Sequence, residues 1–166
     1  MEKLELTLCS AEIMKMIKDL EEEKCSVIHK EDNHSLVSYK EGEKKSPSDY
    51  DYNESRQSIT KINDKIRYLK FALQKANCST WVLGFDMTVS EALVYLAQLT
   101  SEYDQLSHLS RRIQISRRIT PNGVLEYTEC MFDVKQAEKD KFELKTKIGK
   151  LQVAIDRANL TNVIAL

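Results

Sequence analysis

Turn-forming residues are scarce in this chain, with four glycines and two prolines among 166 residues. That excludes the many short, tightly turned strands of a sandwich or barrel and predicts a few long elements, mainly helical. Charge of one sign is also missing. With 25 Lys and Arg against 26 Asp and Glu, the formal charge is −1, which disfavours a generally basic nucleic-acid binder and leaves only local patches to argue from. No apolar run is long enough to span a bilayer, and the opening MEKLELTLCS interrupts its apolar residues with charges, unlike a secretory leader. No membrane association is expected. Cys9, Cys25, Cys78 and Cys130 are scattered with no Cys-x-x-Cys pair, as suits reduced thiols in a cytoplasm rather than a disulfide framework.

Catalytic signatures are lacking as well. There is no glycine-rich phosphate loop, no Gly-x-Ser-x-Gly elbow and no His-Glu-x-x-His, so neither catalytic residues nor a cofactor is expected and the chain does not read as an enzyme. The nearest metal-like set, Cys25, His29 and His34, has no fourth ligand at a recognisable spacing, and no metal is expected.

What the chain does contain is a repeat. Ile66–Trp81 (IRYLKFALQKANCSTW) and Ile148–Val163 (IGKLQVAIDRANLTNV) match 82 positions apart. Ile62, Ile66, Leu69, Leu73 and Ala76 recur at steps of four and three, as do Leu144, Ile148, Leu151, Ile155 and Ala158. Each set forms one apolar helical stripe. Both stripes end in Ala-Asn, so Asn77 and Asn159 are expected to close their helices in the left-handed conformation.

Around the repeat, a first helix starts near Thr7 or Ser10 and follows Ile13, Met16, Ile17 and Leu20 toward Val27. A polar connecting segment covers 29–48. Helix two begins between Ser48 and Ser55. Thr88-Val-Ser-Glu91 is a capping box opening a third helix, whose stripe from Val89 reaches Ile113 over roughly seven turns. Between 114 and 131 the period becomes two, and Pro121-Asn122-Gly123 marks a small β-hairpin. Asp133-Val-Lys-Gln136 suggests another capping box before helix four. The expected architecture is a single mainly α domain over 1–166, made of two pseudo-repeats of about 1–84 and 85–166. Such a duplicated helical hairpin builds an antiparallel four-helix bundle or a coiled-coil assembly with copies of itself, a homo-oligomer.

Several pieces carry a resemblance: Glu41-Gly42 with Pro47, Ile62 to Asn77, Gly84 to Leu93 (GFDMTVSEAL), and Tyr127 to Asn159. With these the chain resembles the uncharacterised bacterial helical proteins labelled septicolysin-like, over most of its length. It departs from their pattern where Asn159 is followed by Leu160 in place of tryptophan. The resemblance implies a helical protein that self-associates, and it brings no established activity.

Arg111, Arg112, Arg117 and Arg118 put four guanidinium groups within eight residues. Arginine forks match phosphate oxygens, so the cluster suggests an anionic, nucleotide-like ligand, with Tyr50, Tyr52 or Trp81 against a planar group. The plainer reading is helix-end cations plus cross-strand pairing to Glu126 or Glu129. The function expected is therefore a non-enzymatic, self-associating binding protein that sequesters such a ligand. A structural or adaptor bundle for protein–protein contact is the alternative, and nucleic-acid backbone binding a weaker one.

Overall fold

The structure is a computed structural model and describes residues 7–45 and 47–166. The first six residues of the charged N-terminal alternation lie outside the described residues. The elements run β1 (Thr7–Cys9), α1 (Ser10–His34), α2 (Tyr52–Ser79), α3 (Val89–Leu109), β2 (Ile115–Ile119), β3 (Leu125–Glu129), α4 (Val134–Thr161) and β4 (Val163–Ala165). The described residues are thus mainly helical, with four helices and a small antiparallel hairpin. It divides into two compact units, the first ending at Ser79 but including Asn159–Leu166, the second covering Thr80–Ala158.

In the first unit, α1 and α2 pack antiparallel. Their core joins Ile13 and Ile17 to Leu69, flanked by Leu20, Ile66 and Leu73. Cross-helix ion pairs set the register at the margins, with Lys70 Nζ donating to Glu21 Oε1 at 2.7 Å and Arg56 reaching Glu31. One end of the hairpin is covered by a two-stranded sheet, in which β1 pairs antiparallel with β4, Leu8 opposite Ile164 and Cys9 opposite Val163. Ile164 inserts into the core. Fully buried Ser10 is satisfied there, its Oγ accepting from Asn162 Nδ2 at 3.1 Å.

The second unit has its own core, in which Val89, Ala92 and Leu99 of α3 meet Leu144, Leu151 and Ile155 of α4. Its covering piece is the extended stretch after α2, where Val82 is buried in the core and Trp81 bridges antiparallel to Thr88. The correspondence with the first unit is close. Val82 and Ile164 are 82 positions apart, like Trp81 and Val163, and they play the same parts. Both first helices also open alike, since Glu12 accepts from the Cys9 amide and Glu91 from the Thr88 amide, each at 2.7 Å. Each unit is therefore completed by the strand that follows the second helix of the other.

Several expectations need correction. Neither Asn77 nor Asn159 is left-handed, because among the described residues only Gly42, Gly84 and Gly123 have positive φ. Both helices continue for two further residues, to Ser79 and Thr161, and Ser79 Oγ turns back onto the carbonyls of Lys75 and Ala76. The polar connection is shorter than 29–48 at its start, since α1 runs on to His34. Losing the apolar stripe leaves the helix solvated without breaking it. Ser48 Oγ then donates to the His34 carbonyl at 2.7 Å and ties the far end of the connection to that helix. Helix three stops at Leu109, which leaves Ile113 outside it and exposed. At the start of α4, Asp133 accepts from the Lys135 amide at 2.9 Å, but Gln136 donates forward to Asp140 and closes no box.

Candidate interaction surface

Residues 114–131 fold as the alternation requires. The turn is made by Gly123 at φ 76, a conformation that costs glycine little, and the Gly123 amide donates to the Thr120 carbonyl. Ile115 pairs with Glu129, Arg117 with Tyr127 and Ile119 with Leu125. Successive strand residues face opposite ways. One face of the ribbon therefore carries Ile115, Arg117, Ile119, Leu125, Tyr127 and Glu129, and the other Ser116, Arg118, Glu126 and Thr128.

This is an amphipathic two-stranded ribbon, yet every residue of both strands is exposed. Its base is held firmly by Gln114. That side chain donates through Nε2 to the carbonyls of Cys130 and Phe132, at 3.0 and 2.9 Å, and accepts through Oε1 from the Val134 amide at 3.0 Å. A single glutamine thus fixes the ribbon to the first turn of α4. Ile113, Val124 and Met131, which flank the strands along the chain, are exposed as well, Met131 at 94% accessibility. A contiguous apolar patch on the order of several hundred Å² is the scale at which exposed surface marks an interaction site.

The two strand arginines diverge. Arg117 lies on the apolar face and Arg118 on the polar one, where its Nε donates to Glu126 at 2.6 Å. Arg111 and Arg112 sit in the turn that follows α3 and are exposed. The 680 Å³ groove at the ribbon base is lined by Gln114 and residues 130–135, with no arginine among them. Trp81 belongs to the same unit as the arginines and is exposed beside its bridge to Thr88.

Tyr50 and Tyr52 belong to the first unit. Tyr50 lines a 200 Å³ depression with Asp49, Asp51, Glu54 and Lys30. Three carboxylates against one ammonium repel a phosphate. Asp51 is occupied as the cap of α2, accepting from the Glu54 amide at 3.0 Å. Tyr52 is exposed, with the Arg56 guanidinium 5.6 Å from its ring centroid. Among the described residues no group of three or more His, Cys, Asp or Glu is placed to hold a metal, and no helix is long and apolar enough to cross a membrane.

The helices also expose apolar side chains away from their cores. Phe71 lies on the outer side of α2, Val94 on α3, and Phe142 and Val153 on α4. Phe71 and Val153 are again 82 positions apart, so the repeat places an apolar residue at the same outward step of both copies. A 420 Å³ groove between α1 and α2, lined by Met16, Leu20, Tyr68 and Leu69, is bordered by Asp19, Glu23 and Lys65.

No family model matches the chain, and no curated protein does. A solved structure does resemble it: a functionally unknown conserved protein from Corynebacterium diphtheriae, at a TM-score of 0.72, 15% identity, and coverage of 96% of this chain and 99% of that one. The likeness speaks for the fold alone.

Proposed function

We propose that this protein works by binding rather than by catalysis, as a helical module that self-associates into a bundle-like or coiled-coil assembly and presents the assembled surface to other molecules. The observation that carries the reading is uncovered apolar surface. Apolar residues such as Phe71, Val94 and Phe142 stand exposed outside cores that are each one helix pair wide, and the ribbon exposes Ile115, Ile119 and Leu125. Obligate partners cover such faces in other proteins.

Capture of a nucleotide-like anion has less support, since Arg117 and Arg118 diverge and acidic residues surround Tyr50. Light scattering on the eluting protein tests self-association. The expected mass rises above 19.2 kDa as concentration increases from micromolar to millimolar. A constant monomer mass over that range refutes it. Thermal melts with pooled nucleotides test the competing reading by mass action, and no upward shift is expected.

A further inference from the structure

From the ribbon at 114–131 we infer the contact through which two copies meet: the apolar faces of two ribbons stack on each other about a two-fold axis that runs along the strands. This deepens the self-association reading and rests on it. The face is a small grid with three rows, Ile115 beside Glu129, Arg117 beside Tyr127, and Ile119 beside Leu125. Two closed two-fold arrangements can stack it on itself.

With the axis across the strands, each strand meets its own copy and Arg117 lies on Arg117, a like-charge contact that costs binding energy. An axis along the strands sets β2 over the other copy's β3. Arg117 then covers the ring of the partner's Tyr127, Ile119 packs on the partner's Leu125, and both contacts occur twice by symmetry. The partner's Arg117 is also offset from Glu129 by only two residues of strand, about 7 Å, within reach of a long guanidinium side chain. Cation–π stacking and the Ile119–Leu125 contact fall into register together in this arrangement, with Ile115 on the partner's Glu129, whereas the other axis aligns Ile115 with Ile119 but sets Arg117 on itself and gives no cation–π contact.

The occupant is a second copy because the face is complementary to itself in that way. Its six residues cover several hundred Å² per partner, below the roughly 800 Å² of a standard stable interface, so the ribbon contact alone is a weak one, seen at tens of micromolar or above. Edge-to-edge pairing would leave Ile119, Leu125 and Tyr127 in water and does not account for them.

The test uses the full chain in sedimentation velocity, with Ile119→Glu, Leu125→Arg and an equimolar mixture of the two variants. Both positions are exposed and touch neither core, and unchanged circular dichroism melts check that each variant folds. Each variant alone should associate at least tenfold more weakly than wild type. The mixture should recover to within a fewfold, because the new carboxylate of one chain faces the new guanidinium of the other while the second Ile119–Leu125 contact is intact. If wild type associates and the single variants do so equally well, the ribbon contact is wrong while self-association stands. Loss in both single variants without recovery in the mixture overturns the proposed axis. A wild-type chain monomeric to millimolar concentration removes the self-association reading itself.

Discussion

Replacing Leu151 by alanine is the most direct trial of the two-core architecture. Leu151 is fully buried at the centre of the second unit, among Leu99, Leu144 and Ile155. Leucine-to-alanine changes in cores cost about 2 to 5 kcal/mol, less where the surroundings collapse into the space. A core one helix pair wide collapses more readily than a thick one, which places the expected loss near 3 kcal/mol, or about a hundredfold in the opening equilibrium. Native-state amide exchange read by mass spectrometry is the suitable assay, because it reports opening segment by segment. Exchange should accelerate about a hundredfold through α3 and α4, with α1 and α2 far less affected. The repeat supplies the reciprocal experiment, since Leu69 holds the equivalent place in the first unit, and Leu69→Ala should accelerate α1 and α2 instead. Val153→Ala, at an exposed position of the same helix as Leu151, should change stability by less than about 0.5 kcal/mol. Equal acceleration in both units after either core substitution would refute two separate cores.

Acid should weaken both helix starts. The Glu12 and Glu91 carboxyls are held below their ordinary value of 4.5, chiefly by the amides of Cys9 and Thr88 and then by those residues' side chains. A carboxyl lowered by folding contributes its stabilisation above its unfolded value and loses it as pH falls through the folded one. Melting temperature should therefore fall more steeply below about pH 4.5 in wild type than in the Glu12→Gln/Glu91→Gln double variant, and superimposable pH profiles would argue against the caps. The glycines divide by backbone conformation. Gly149 is an exposed helix-interior residue with open space where a Cβ would go, so Gly149→Ala should raise stability by about 0.5 to 1 kcal/mol in denaturant titrations. Gly84 has φ 84, and Gly84→Ala should lower stability by about 1 kcal/mol or more. Effects of the same sign at both positions would contradict these backbone assignments.

Much of this was readable in the residues, and the failures have definite causes. The stripes from Ile62 to Ala76 and from Leu144 to Ala158 announce two core helices because burial on one face demands that period. Thr88 with Glu91, and Asn122 with Gly123, are local chemistry, and local chemistry reads directly. The pairing of β1 with β4 is invisible, since three-residue strands show no period and Cys9 lies far along the chain from Val163. The first-unit cap was obscured because cysteine is not a usual capping residue. Asn77 and Asn159 misled for another reason: asparagine tolerates the left-handed conformation without requiring it. At the candidate surface, the alternation that groups Ile115, Arg117 and Ile119 already separates Arg117 from Arg118. Counting arginines along the sequence hid that. The clamp made by Gln114 had no signal at all, as its three bonds go to backbone groups.

The reciprocal completion of the two units has a consequence for ancestry. A lone half containing α3, the ribbon, α4 and β4 would keep a strand with nothing of its own to cover, and it would lack the segment around Val82 that seals its interior. Two such halves would mend each other by trading tails, with Ile164 of each in the seat that Val82 occupies in the full chain. Joining such an exchanging pair end to end would reproduce the chain order found here, with residues 83–87 between the two halves.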